Sequence, residues 1–303
     1  MVDIDRVLIG DNPFNLVDHF SQERSRLRDP MNASDIAAVI RCALESGATG
    51  FVFSSTRRVR AALSAMREDG KNREFGLYPV FPDAYELARS ASEGGVVQVA
   101  KELMAGSSLF RKTETMLDAG TALLRTDAVK LLRTYLRAEL SSLRRIVPAE
   151  GRVKAVFLHE ILTELIVSFK LDGFLHSYVD FIQDEYHALP GVVTRNFPSF
   201  VRFVSDGGFG ELAVLTPFNK AGFQMNPSRR DCEESLVNAK SLHVIAMSVM
   251  AGGYLSLSES IDYLMSLSTK ISCVVGVRSE DHARETFSYL SSRLNPPRMN
   301  LSD

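Results

Sequence analysis

The sequence predicts a (β/α)8 TIM barrel, and three observations predict it. Short apolar runs alternate with helix-like stretches along the chain, the pattern of parallel strands with both faces covered. Eight such runs occur in 303 residues, and eight is the number that closes a barrel of this length. No G-x-G-x-x-G turn follows the first run, which counts against the doubly wound open sheet. One domain is expected over residues 1–303, with a helical insertion at 84–150 between strands three and four.

Strand one is Arg6-Val-Leu-Ile-Gly10, stopped by the turn residues Asp11-Asn-Pro-Phe14. Asn32-Ala-Ser-Asp35 opens an amphipathic helix that Ser46 and Gly47 end. Strand two is Phe51–Ser55, followed by a helix over 57–66 that begins with the basic run Arg57, Arg58 and Arg60. A solvated helix face accounts for that run as well as a binding role does. Strand three is Phe75–Pro82, with Pro79 an awkward residue in a strand interior. Helical sequence over 84–147 is broken at Gly94-Gly95 and Ala105-Gly106. Strand four is Lys154–His159, then a helix over 161–188, strand five at 190–196 and a short helix over 200–205. Strand six is Leu212–Pro217, and the polar loop 219–228 after it has the punctuation of a lid or clamp. Strand seven is Val244–Val249, a helix covers 258–267, and strand eight is Ile271–Val277. Gly276 there allows a close backbone approach, Arg278 follows at once, and Ser279 caps a helix with Glu280 and Asp281 in its first turn.

Composition removes several function classes. A net charge of −2 gives no basic field for nucleic acid or an anionic membrane. No apolar run is long enough to span a bilayer and the N-terminus is no signal peptide, so a cytoplasmic protein is expected. Cys42, Cys232 and Cys273 are far apart without metal-ligand spacing and read as reduced packing thiols. Asp11, His19, His159 and Glu160 could ligate a metal chemically, but their spacing fits no metal motif, and none is expected.

In a barrel the chemistry sits at strand C-termini. The scarce polar types there are Asp11 and Asn12, His159 and Glu160, Arg195 and Asn196, Asn219 and Lys220, and Arg278 and Ser279. His159 is the candidate for proton transfer, because a histidine titrates near neutral pH, with Asp11 or Glu160 assisting. Lys220 suits carbonyl polarisation or, if desolvated, an imine; an ion pair or phosphate contact suits it more readily. Arg195 and Arg278 suit a carboxylate or phosphate, with Asn12, Asn196 and Asn219 as further substrate contacts.

The second half resembles the aldo-keto reductases. The residues that carry the resemblance are Val156–His159, Gly191–Phe197, Thr216–Gly222, Ile245–Gly253 and Gly276–His282 with Glu285, in that order and spacing over 154–290. The resemblance implies an NADPH cofactor whose adenosine phosphate is met by Arg278, Ser279 and Arg284, and it matches His159 to the family's strand-four histidine. Elsewhere the catalytic pattern departs from the family. Ser54 stands at the aspartate position of strand two, no tyrosine follows, and Tyr78–Pro82 contains no lysine. The leading expectation is therefore a lyase- or isomerase-type barrel enzyme acting by acid/base chemistry on a small anionic or carbonyl-bearing metabolite. The alternatives are an NADPH-dependent oxidoreductase with a rearranged proton donor, Tyr78 or Tyr85, and a non-catalytic barrel that binds a metabolite or partner. Neither nucleic acid nor membrane is an expected partner, and a homodimer is left open.

Overall fold

A computed structural model of the chain describes residues 3–15, 30–70, 72–83 and 127–295. Its centre is a closed barrel of eight parallel strands. They are β1 (Val7–Gly10), β2 (Gly50–Ser54), β3 (Phe75–Phe81), β4 (two segments, Gly151–Val153 and Ala155–Leu158), β5 (Leu189–Val193), β6 (Leu212–Pro217), β7 (Leu242–Met247) and β8 (Ser272–Gly276). Each pairs with its sequence neighbour, and β8 returns to β1 with Val7 opposite Cys273 and Gly10 opposite Gly276.

Outside lie α1 (Ala33–Glu45), α2 (Arg57–Asp69), α3 (Asp127–Arg144), α4 (Glu160–Ser168), α5 (Asp172–Tyr186), α6 (Phe197–Gly207), α7 (Arg229–Leu236), α8 (Leu257–Ser266) and α9 (Glu280–Leu294). The expected start signals at Asn32 and Ser279 operate, and Thr56 and Asn196 do the same for their helices: each accepts a backbone N–H of its own helix through the side chain. The continuous helix expected over 161–188 is two helices. Lys170 takes a positive φ of 50° between α4 and α5, and the nearest glycine, Gly173, falls inside the first turn of α5 and not at the break. Helix α7 was not foreseen after strand six, because its sequence is short and strongly polar; Ser228 caps it. Of the expected insertion at 84–150, the part from 127 onward is α3 and its exit into β4. Residues 84–126, with the breaks at Gly94-Gly95 and Ala105-Gly106, lie outside the described residues, as do His19 and Tyr85.

Alternation along each strand fills the barrel with Leu8, Val52, Tyr78, Val80, Ala155, Phe157, Leu189, Val193, Ala213, Leu215 and Ile245. The opposite face of each strand packs on the helices in a larger apolar layer. Pro79 sits fully inside the sheet, opposite Phe53 of β2. The sheet accommodates it by a bulge on the other side: Leu77 pairs with Val153 but Val80 with Phe157, so three residues of β3 advance against four of β4. Lys154 is the residue at which β4 breaks.

The floor of the barrel is polar and closed. The Tyr78 hydroxyl donates to Asp5 Oδ2 at 2.6 Å, the Asp5 amide donates to the Tyr78 oxygen at 2.9 Å, and Lys154 Nζ donates to Asp5 Oδ1 at 2.9 Å. Gly50 and Gly76 make room for this group; a methyl at Gly76 would stand 2.1 Å from Asp5 Oδ2 and 2.7 Å from the Tyr78 ring. All three cysteines are free and buried, in agreement with packing roles. Among the described residues no helix is long and apolar enough to cross a membrane.

Gly76→Ala should therefore destabilise the protein by about 1–3 kcal/mol through overpacking of the floor. Gly173→Ala, in α5, where an added methyl meets nothing within 4 Å, should stabilise by up to about 1 kcal/mol. Urea unfolding of both variants checks this, and equal effects would dissociate the floor from stability.

Candidate active site

The site grows from the end of β1. Asp11 starts a tight turn: the amides of Phe14 and Asn15 bond back to its carbonyl at 2.9 and 3.3 Å. Pro13, within the turn, presses on Gly276 of β8, where a methyl would stand 2.7 Å from the proline ring. This is the close approach that Gly276 permits. The turn tucks Asp11 inward until only 7% of it is exposed. Its Oδ2 accepts the Ser54 amide at 2.8 Å and Asn15 Nδ2 at 2.7 Å. Burial nevertheless dominates and pushes the Asp11 carboxyl up to about 7; the bonds from Ser54, its own amide and Asn15 pull down, and nearby Asp83 pushes up. Near neutral pH Asp11 is thus a carboxylic acid in exchange with its anion.

His159 ends strand four. Its amide donates to Phe81 O at 2.7 Å, tying it to β3, and its Nδ1 accepts the Ile161 amide at 3.3 Å as the cap of α4. A ring nitrogen that accepts carries no proton, so the neutral ring bears its hydrogen on Nε2. Desolvation lowers the His159 pKa; Glu160 and Asp83 oppose this and Arg195 adds to it. The charge of Asp83, just past β3, acts on both Asp11 and His159.

Glu160 Oε2 accepts Arg195 Nε at 2.8 Å, so the expected acid/base helper and the expected anion clamp are engaged with each other. Glu164 takes the Thr194 hydroxyl at 2.7 Å and the Arg195 amide at 3.4 Å, holding β5 to α4. Asn196 spends its Oδ1 on capping α6. Asn219 is fully buried and bonds both ways with the Phe223 backbone, at 2.8 and 2.9 Å, so it shapes its loop. Lys220 is exposed on that loop, outside the desolvated setting an imine requires. Asn12 is exposed in the β1 turn. At the start of α9, Arg278 is half-buried, the Ser279 Oγ accepts the His282 amide at 3.3 Å, and Arg284 pairs with Asp281 at 3.2 Å.

The expectation that Tyr78 could serve as proton donor needs correction. Its hydroxyl is at the opposite end of the barrel, locked to Asp5, and burial drives its pKa far upward. Asn15 was not foreseen in the site. The signal was present as Asp11-Asn-Pro-Phe-Asn15, where one turn brings the amide back over the carboxyl. No cluster of three or more metal-binding side chains occurs among the described residues.

The barrel matches solved structures over nearly its full length. The aldose reductase from Giardia lamblia superposes with a TM-score of 0.55 at 10% identity, covering 95% of this chain and 87% of the other. The glycerol dehydrogenase from Gluconobacter oxydans gives 0.53 at 11% identity over 98% and 94% of the two chains. An aldo-keto reductase solved in complex with NADPH gives 0.54 at 11% identity over 94% and 79%. The fold is that of the aldo-keto reductases. No family model and no curated protein matches by sequence, and at these identities the likeness is one of fold. Within the aldo-keto reductase fold the end of strand two carries Ser54, and the carboxyl bonded to the Ser54 amide is supplied by Asp11 of strand one.

Since the folded-state pKa of Asp11 is raised from 3.8 to about 7, its contribution favours the fold fully below the lower value and is lost as pH rises through the upper one. Asp11→Asn should remove that dependence and gain, relative to wild type, up to about 4 kcal/mol between pH 4 and pH 8. Urea midpoints at the two pH values test this; parallel curves would show that Asp11 titrates normally.

Proposed function

We propose that the protein is an NADPH-dependent oxidoreductase acting on a small carbonyl-bearing metabolite, with Asp11 as the acid in place of the tyrosine. What supports the reading is a buried carboxyl at the end of β1, raised to about 7, together with a histidine at the end of β4 whose Nδ1 accepts an amide, leaving its Nε2–H to donate.

Arg278, Ser279, Arg284 and the first amides of α9 form a donor set suited to a nucleotide phosphate, with Asp281 as its internal competitor for Arg284. A nicotinamide cofactor bound there supplies hydride. The protein's own groups handle the oxygen. His159 Nε2–H donates a hydrogen bond to the substrate carbonyl oxygen. Asp11 gives its proton to that oxygen as negative charge builds on it, which yields the hydroxyl and leaves an Asp11 carboxylate. The Ser54 and Asn15 donors at 2.8 and 2.7 Å hold that anion until solvent returns a proton. An anionic substrate would compete with Glu160 for Arg195, whose charge is shared in the resting site.

One observation favours a second reading. Glu280 and Asp281 place two acids in the first turn of α9, and Asp281 already engages Arg284. Acids there oppose a phosphate. A nucleotide-free lyase or isomerase would keep Asp11 and His159 as its acid/base pair and leave α9 outside the chemistry.

A thermal-shift titration separates the two. NADPH at about 100 times its dissociation constant should stabilise the protein by roughly 2.7 kcal/mol, and Arg278→Ala should blunt the effect. No shift with NADPH, NADP⁺ or NADH removes the oxidoreductase reading. With benzaldehyde as probe, Asp11→Asn should lower turnover by a factor on the order of 10²–10⁴ while NADPH still binds, and wild-type turnover should fall above about pH 7 as the acid is lost. Unchanged turnover in Asp11→Asn would remove Asp11 from the mechanism.

A further inference from the structure

We propose that Asn15 and Thr56 are positioning residues that hold the proton of Asp11 on Oδ1, the oxygen left to meet a substrate. The proposal rests on the reading of Asp11 as the acid.

The two donors from other residues converge on Asp11 Oδ2, the Ser54 amide at 2.8 Å and Asn15 Nδ2 at 2.7 Å, beside the bond from its own amide. An oxygen facing two N–H groups has no acceptor for a proton of its own, so the acid form carries its hydrogen on Oδ1. The direction of the Asn15 amide is set from further away. The Val59 amide donates to Thr56 Oγ1 at 3.3 Å as part of the α2 cap. The Thr56 hydroxyl therefore accepts at its oxygen and sends its hydrogen elsewhere, to Asn15 Oδ1 at 2.9 Å. A carbonyl held by Thr56 turns the NH2 of Asn15 toward Asp11. The chain of arrows runs from α2 through Thr56 and Asn15, and it crosses from the end of β2 to the end of β1.

The charged surroundings leave this chain to do the orienting. Asp83, at the end of β3, faces Asp11 and disfavours its anion. From α2, Arg60 is directed to Ser55, Glu139 and Ser142 instead. From β8, Gly276 offers only backbone against Pro13. Without Asn15 the anion would keep only the Ser54 amide and its own amide as donors, and the carboxyl could rotate to expose either oxygen.

The test is a carbon-13 NMR titration of the Asp11 carboxyl in the full chain, which requires no substrate. Asn15→Leu should move its midpoint up from about 7 by roughly one unit, because a donor to the anion is lost. Thr56→Val should move it the same way, and Thr56→Ser, which keeps both the cap and the donated bond, should restore it. A purely structural role for Thr56 predicts lower stability in Thr56→Val with the midpoint unmoved. An unmoved midpoint in folded Asn15→Leu overturns the proposal whatever Thr56→Val does. The alkaline limb of turnover with NADPH and benzaldehyde should follow the NMR midpoint. If the midpoint moves and that limb does not, the positioning stands and the assignment of Asp11 as the acid falls.

Discussion

A strand in a closed parallel barrel is buried on both faces, and the rest of this structure follows from that constraint. Side chains along β1 to β8 must be apolar or very small, so polar chemistry is confined to the two ends. The lower end is sealed by Asp5, Tyr78 and Lys154, which satisfy one another. At the upper end the groups are fewer and their partners less complete. Asp11 lies there under enough protein to lose most of its solvation, and the bonds from Ser54, its own amide and Asn15 offset that loss only in part. Desolvation with incomplete compensation is what raises a carboxyl pKa. The same closure that stabilises the barrel thus generates its most perturbed acid on the rim.

The barrel was legible in the sequence because burial on both faces leaves a signal that needs no partner information: short runs of Val, Ile, Leu and Phe between helix caps. Ser279, Asn32 and Gly276 were readable for the same local reason, since a cap or a close approach constrains residue type at one position. What was not legible depends on pairing. Tyr78 read as a spare phenol until Asp5, 73 residues away, was found bonded to it. Glu160 and Arg195 each looked available because the sequence does not show that they meet. Pro79 looked misplaced in a strand because the bulge that accommodates it lies on β4.

Lys220 and Asp11 make the same point from opposite sides. Both stand near strand ends and both were plausible by type. Their environments separate them: the loop leaves Lys220 in solvent, whereas the turn through Pro13 folds Asp11 under the rim. A lysine is strongly solvated unless packing removes its water, and a surface loop does not do so. A carboxyl at a strand end is pulled inward when the following turn is anchored, and Gly276 provides that anchor on the neighbouring strand. The inward position of Asp11 therefore depends in part on a glycine on β8 that lets Pro13 approach.

In the proposed reaction, the acid form of Asp11 and a neutral His159 acting on one oxygen have a chemical consequence that separate assignments miss. Two neutral donors interact modestly with a neutral carbonyl oxygen and much more strongly with an oxygen acquiring negative charge. Their contribution grows toward the transition state and does not hold the ground state tightly. A lysine-assisted phenol reaches the same end with a cation at the site. Here Arg195, a cation whose charge acts on His159, is already matched by Glu160. In the proposed reaction the rim would thus stabilise a developing oxyanion by dipoles and one transferable proton. That proton stays available only while Asp83 and burial outweigh the bonds from Ser54 and Asn15. Burial is the largest of these causes and Asp83 the smallest, so loss of Asp83 would move the Asp11 carboxyl down without removing the shift that burial imposes.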